Sequence, residues 1–355
     1  MARKALVPGR RAPRRQVLQA LLPAARWPGR LRTPAVLVAL AYGAVSGTTG
    51  RAVQAQAWPV KPIRVVVPFA GGGPIDAVAR PVLDKVGAGI GQPMLFESRP
   101  GASGTIGTEI VARAPKDGYT LLFTTGSHTS NAVYLRKLPY DPIADFLPVS
   151  QVARAFGQVL VVHPALPVRS VKEFIALARV RKGGLNYASA GVGNATHIAA
   201  ELFRTGAGVV LTHVAYKGGG PALADVLGGH VEVMFPSVTQ ALPYIRSGRL
   251  RPLVLSGIRR SPVLPDVPTF QEAGLGAVDF TGWHATWLPA GAPIEIARRL
   301  QSEIVRAVAT PEVRAVFADL GVESVASTPE AFAQFVKQDL ALNQDIAKRA
   351  GIQPE

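Results

Sequence analysis

The chain has 355 residues, 48% of them hydrophobic and 17% charged, with a formal net charge of +16. That length can bury a sizeable core in one large or two ordinary domains, and high apolar content with low charge density excludes a disordered chain. There is no cysteine. Disulfides, thiolate-held zinc or iron–sulfur clusters, a cysteine nucleophile and a lipid-modified cysteine are therefore excluded.

The charge is local. Residues 1–57 hold ten of the 39 basic residues, from Arg3 and Lys4 to Arg51, and no Asp or Glu. The other 29 basic residues stand against 23 acidic ones. A nucleic-acid reader needs a basic stripe within its folded part; none is visible, so no nucleic acid is expected as a partner. Within residues 1–57 a basic stretch to Arg32 precedes an apolar run, Pro34 to Val45, and a polar stretch ending at Ala55-Gln56-Ala57. This is the order of a secretory signal peptide with a small-x-small cleavage site. The apolar run is short of the roughly 20 residues that span a bilayer. Arg14-Arg15-Gln16-Val17-Leu18-Gln19 loosely resembles a twin-arginine signal. Sec export, twin-arginine export and a downstream start all stay open, and each places a soluble mature chain, from near Trp58, in the periplasm.

The mature chain alternates strands and helices. Lys61–Phe69 reads as a buried strand entering Gly71-Gly72-Gly73. Ile75, Val78, Ala79, Val82, Leu83 and Val86 recur at helical spacing, with Pro74 in the first turn and Pro81 expected to kink the helix. Met94–Glu97 is a short strand, Thr105–Arg113 a helix, and Asp117-Gly118 a turn into the strand Tyr119–Thr124. Val159–His163 is a strand, and Ser170 with Glu173 forms a capping box opening a helix through Arg179. Strands are expected at Leu185–Ala188, Val209–Val214, Val231–Phe235 and Leu250–Ser256, with helices between them at Ala195–Thr205, Pro221–Leu227 and Thr239–Ser247. Phe280–Leu288 has a strand-like context, in which Trp283 and Trp287 are read first as core. The carboxyl third is mainly helical, with Pro293, Pro311 and Pro329 at first helical positions, the last two after a Thr cap. Such alternation predicts an α/β architecture with mostly parallel sheets, in two units.

Three loops share a strand–loop–helix context: Ala70–Asp76, Ser189–Thr196 and Tyr216–Pro221. Glycines let backbone approach a ligand closely, and free N–H groups at a helix start favour an anion. Open α/β sheets bind ligands at the carboxyl ends of their strands. Nucleotide motifs fail. Gly191-Val192-Gly193 reaches Thr196 where a third glycine is needed, and Lys217 precedes its glycines instead of following them. No cofactor is expected. Gly101-Ala102-Ser103-Gly104 is one residue short of a nucleophile elbow, and the six histidines show no metal spacing. No catalytic residue and no metal is assigned.

Several blocks in register resemble the substrate-binding receptors of tripartite tricarboxylate transporters, the Bug family. They include Trp58-Pro59-Val60-Lys61-Pro62-Ile63, Val67-Pro68-Phe69 with the glycine loop, Glu97-Ser98-Arg99-Pro100-Gly101 and Asp117-Gly118-Tyr119-Thr120. Leu138-Pro139-Tyr140-Asp141-Pro142, Leu185-Asn186-Tyr187-Ala188-Ser189, Tyr216-Lys217-Gly218 and Ser261–Thr269 continue the series. The resemblance implies a two-lobed periplasmic binding protein of type II that closes over a small carboxylate, partnered by membrane transporter subunits. A sensor kinase as partner, or a secreted hydrolase on the same scaffold, are the other readings. A monomer is expected. The lobes are expected to be discontinuous: 58–157 plus 254–355 in one, 158–253 in the other, hinged at two crossovers.

The ligand site is expected at Phe69, Ala70, Gly72, Gly73, Ile75 and Asp76 from the first lobe. The second lobe is expected to give Ser189, Gly191, Gly193, Thr196 and His197, with Thr125, Ser127, Tyr216, Lys217 and Phe235 as outer members. Asp76 either caps its helix or meets an amine or hydroxyl of the ligand. Neither main loop carries an Arg, and Lys217 is the one nearby cation, so a mono- or dicarboxylate held by neutral donors is expected. The chain departs from the family pattern at Gly71, where Pro is usual, at Pro81, and at Pro236-Ser237, where an acidic or amide pair is frequent.

Overall fold

The computed structural model describes residues 58–354; the expected signal peptide, residues 1–57, lies outside them. The chain runs β1 (Ile63–Val67), α1 (Pro74–Ile90), β2 (Met94–Ser98), α2 (Thr105–Ala112), β3 (Thr120–Thr125), α3 (Ser127–Tyr134) and β4 (Phe146–Ala155). It continues through β5 (Val159–Val162), α4 (Val171–Val180), β6 (Leu185–Ser189), α5 (Ala195–Ala207), β7 (Leu211–Ala215) and α6 (Gly219–Leu227). Then follow β8 (Val233–Met234), α7 (Val238–Arg246) and β9 (Arg251–Leu255). The last part is β10 (Trp283–Pro289), α8 (Ile294–Ala309), α9 (Pro311–Leu320), β11 (Val322–Ser324) and α10 (Pro329–Ala350).

Two sheets result, each the centre of an α/β lobe. One has the order β11-β4-β10-β3-β1-β2, the other β7-β6-β8-β5-β9. Successive strand residues point to opposite faces, and here both faces are covered. Val65 packs with Val82 of α1 and Leu300 of α8 on one side. Its neighbour Val66 packs with Trp287 and Phe332 on the other. The second sheet repeats this, with Leu160 facing Phe174 and Phe203 and Val161 facing Val226 and Ala241. Burial on two faces is why these strands read as continuous apolar runs.

The expectation of mostly parallel sheets is corrected. β1 pairs parallel with β2 and β3, and β6 with β7 and β8. The strands that carry the chain between lobes, β4, β5, β9 and β10, pair antiparallel. Strands that leave a lobe run opposite to those that return to it, so β4 opposes β10 and β5 opposes β9. Other expectations shift as well. α1 holds Pro81 within one continuous helix, Pro74–Ile90. Pro293 caps α8 from outside and does not occupy its first turn. Thr310 and Thr328 accept the expected capping bonds from Val313 and Ala331.

The crossovers meet at backbone. β4 becomes β5 through Phe156-Gly157-Gln158, and β9 leaves through Ser256-Gly257. Gly157 sits at φ +103, where a Cβ would lie 2.6 Å from the Gly257 nitrogen. Ser256 ties three segments: its Oγ accepts from Gln158 N–H at 2.8 Å and donates to the Phe280 carbonyl at 2.7 Å. After Ser256 the chain stays with the second sheet, where Phe270 and Leu275 join its core, before β10 returns to the first. α10 packs against both α3 and α5, and Tyr134, Ile198 and Ile346 form one buried cluster from these three helices.

Gly157→Ala is expected to destabilise the protein by more than about 1 kcal/mol, because left-handed backbone and a backbone clash oppose a Cβ together. Urea unfolding checks this; an unchanged midpoint would show that the crossing has slack.

Candidate functional site

Each glycine loop is held by side chains of its own neighbourhood. In the first, Gly72 lies at φ +76 and donates its N–H to Asp76 Oδ2 at 2.8 Å. Asp76 is buried and lies 3.6 Å from Arg80. Its carboxylate is folded back onto its own loop and gives α1 no side-chain cap, which differs from the capping role expected. Gly73 caps α1 without a side chain, and Pro74 has no N–H to offer. The N–H groups of Ile75 and Asp76 stand in the first turn, where no intrahelical acceptor exists.

The second loop is tied more tightly. Ser189 Oγ lies 2.5 Å from His213 Nε2 and accepts from Gly191 N–H at 3.1 Å. Thr196 Oγ1 accepts from Ala190 N–H at 2.8 Å, and His197 Nδ1 accepts from Gly193 N–H at 3.2 Å. The N–H groups expected to cradle an anion at Gly191 and Gly193 are thus consumed inside the loop. His197 stacks on His213 at 4.4 Å, which stacks on Tyr187 at 4.8 Å. Burial, then the neighbouring His213, hold His197 down to about 4, so a neutral ring can accept that bond. The third loop turns Tyr216 outward to donate to Asp225 Oδ2 at 2.5 Å. That bond, foremost, pushes the phenol up to about 12.

Two adjoining cavities lie where the loops meet. The larger, about 370 Å³, is lined by Phe69, Ala70, Gly73, Pro74, Ile75, Thr125, Ala155, Gln158, Ala190, Asn194, Ala195 and Thr196. Gly219, Gly220, Ser237, Thr239, Gln240, Gly282, Trp283 and His284 complete it. The first residues of α1, α5, α6 and α7 all belong to this wall, so four helix N-termini converge on one space. Each carries about half a positive charge. No Lys or Arg belongs to either lining. The smaller cavity, about 100 Å³, shares Phe69, Thr125, Gln158, Asn194, Ala195, Gly282 and Trp283 with the larger. It adds Ser127, Ser130 and Asn131 of α3, Gly193 and Ile198, and Asp339 and Asn343 of α10.

Of the residues singled out from sequence, Phe69, Ala70, Gly73, Ile75, Thr125, Ser127, Gly193 and Thr196 line this space. The other eight do not. Gly72, Asp76, Ser189, Gly191 and His197 shape the loops from behind. Tyr216 is turned to Asp225, and Lys217 is exposed to solvent. Phe235 is fully buried, 5.5 Å from Phe203 and 6.4 Å from Phe270, because its ring turns into the core of its sheet. Sequence reasoning missed Gln158 in the crossover, the capping Asn194, Ser237 and Gln240 at the start of α7, and Asp339. The N-cap signatures of Asn194 and Ser237 were the local signals available; their side chains accept from Thr196 N–H at 3.1 Å and Gln240 N–H at 3.2 Å.

Two α/β lobes joined by paired crossovers, with anion-friendly helix starts facing one cleft, define a solute-binding protein of the periplasmic type. The family profile of tripartite tricarboxylate transporter family receptors matches residues 78–352, and the chain belongs to that family of periplasmic receptors; it is a receptor, not an enzyme. A protein encoded in the tcbD–tcbE intergenic region of Pseudomonas sp. (strain P51) is 36% identical over 305 residues, covering 86% of this chain and 90% of its own. Rpa4515 of R. palustris, solved with adipate, superposes with a TM-score of 0.79 at 33% identity, covering 84% of this chain and 100% of its own. MatC of Rhodopseudomonas palustris, solved with bound malate, gives a TM-score of 0.73 at 33% identity, covering 81% of this chain and 99% of its own. Among the described residues no helix is long and apolar enough to cross a membrane.

Burial also sets a pH dependence. His128, His197 and His284 are each lowered from 6.5 to about 4, mainly by burial. The unfolded chain therefore binds more protons between pH 6.5 and 4, so stability is complete above that window and lost as pH falls through it. Asp339, raised from 3.8 to about 6 by burial, acts in the opposite sense, since its folded form keeps a proton the unfolded form releases. Three groups outweigh one. The melting temperature is expected to fall between pH 6.5 and 4.5, and less steeply in His128→Phe. Calorimetry across that range checks this, and a flat profile would contradict it.

Proposed function

We propose that the protein captures a small carboxylate in the cleft between its lobes and presents it, closed, to the membrane subunits of a tripartite transporter. The observation that carries this is the convergence of four helix N-termini on a cavity without a cationic side chain. Such a site offers partial positive charge and neutral donors, which suit a carboxylate better than a phosphate needing full charges. The related structures with adipate and malate support it. Capture requires the lobes to move about their crossovers. The lobe division we propose is 58–157 with 282–354 and 158–281, which places the return crossover later than expected from sequence. Its basis is that β9 and the residues Phe270 and Leu275 belong to the second sheet and its core.

Residues 1–57 serve in this reading as the export signal, by Sec or the twin-arginine route, and the receptor works as a monomer. A sensor kinase is the alternative recipient of the closed form. Uptake by vesicles carrying the transporter subunits separates the two, because only a transporter moves labelled ligand.

A thermal-shift screen of small carboxylic acids against their amides tests the reading. An acid at about 100 times its dissociation constant is expected to stabilise the protein by about 2.7 kcal/mol, and its amide not at all. Affinity is expected to change less than threefold between low and high salt, because hydrogen bonds in a closed cleft are poorly screened. Equal response to acids and amides, or a steep salt dependence, would overturn it.

A further inference from the structure

The two cavities differ in charge. The larger is ringed by helix N-termini. The smaller contains Asp339, the one charged side chain in either lining. Its carboxylate accepts from Thr129 Oγ1, from Asn343 Nδ2 at 3.3 Å and from the Trp283 indole N–H, all neutral donors. Among the described residues no Lys or Arg forms an ion pair with it, whereas other acids of the protein, such as Glu97 and Asp279, have one. A largely buried carboxylate with no cation is incompletely compensated. The first turn of α3, which supplies Thr129 and the wall residues Ser127 and Ser130, offers it only partial charge. Burial shows the same imbalance by raising the Asp339 carboxyl to about 6.

A ligand that reaches from the larger cavity past Phe69 therefore meets an anion attractor at one end and an anion at the other. A second carboxylate there would face Asp339 with no full positive charge beside either group, only the partial charge of the α3 and α5 starts. An ammonium would complete the missing pair, with Ser130, Asn131 and Asn194 as further polar wall. We propose that this receptor selects an ω-amino monocarboxylate over a dicarboxylate of the same length, with Asp339 as the residue that binds the ligand's cationic end. The inference rests on the carboxylate reading above and names the second group of that ligand.

Calorimetric titration of the mature protein with matched chains tests it. The probes are 4-aminobutanoate, 5-aminopentanoate and 6-aminohexanoate, against succinate, glutarate and adipate, with butanoate, pentanoate and hexanoate as references. For at least one length the amino acid is expected to bind tenfold or more tighter than both the diacid and the plain acid. Asp339→Asn is expected to remove that preference while leaving the plain acid within about threefold. Should that variant fail to fold, the comparison of ligands on the unaltered protein still decides. A diacid binding as well as or better than its amino counterpart at every length overturns the inference alone, as does a preference that survives Asp339→Asn. Failure of all three series to bind overturns the carboxylate reading and this inference with it.

Discussion

The cleft exists because the chain passes between its two sheets at a point where there is no room for a side chain. Gly157 and Gly257 press backbone to backbone, and the Ser256 hydroxyl joins the outgoing and returning strands in one hydrogen-bonded knot. Each sheet completes its own core on both faces, so neither needs the other for its packing. What the crossing adds is alignment. It brings the carboxyl ends of β1 and β3 opposite those of β6 and β8, and the loops after those strands then share one space.

Within that space the division of labour is unusual for glycine loops. The glycines whose N–H groups invited an anion reading, Gly72, Gly191 and Gly193, donate instead to Asp76, Ser189 and His197. Their bonds fix the loops so that helix starts, not loop amides, point inward. An anion is then met by dipoles whose geometry is already set. Preformed donors lose little entropy on binding, which is what gives a site without full charges useful affinity.

How much of this was legible in the sequence follows from the same physics. β1, β5, β6 and α5 were readable because burial on both faces, or on one helical stripe, leaves a strong pattern. α3 left none. Its buried residues include His128, Thr129, Ser130 and Asn131, and the side chains of Thr129 and Asn131 bond Asp339 and the Ser103 carbonyl, far away in sequence. β4 was missed because its apolar residues are interrupted by Ser150, Gln151 and Arg154, whose partners are likewise distant. The loops were located correctly, yet local sequence could not show that their amides would be taken by Ser189 and His197. Asp339 was invisible for a different reason: it stands in a long helix among charged residues that face solvent, and only the fold separates it from them.

The last helix carries one more implication. The bond from Thr129 to Asp339 joins residues 210 positions apart, and that from Tyr134 to the Asn343 carbonyl spans 209. Contacts of such separation form late, because long loops must close first. A chain that folds as it lengthens can assemble much of its first sheet before α10 is present. The wall that would hold the ligand's far end arrives with α10. A finished cleft therefore exists only once α10 has docked, so ligand cannot assist the folding of the elements that precede it.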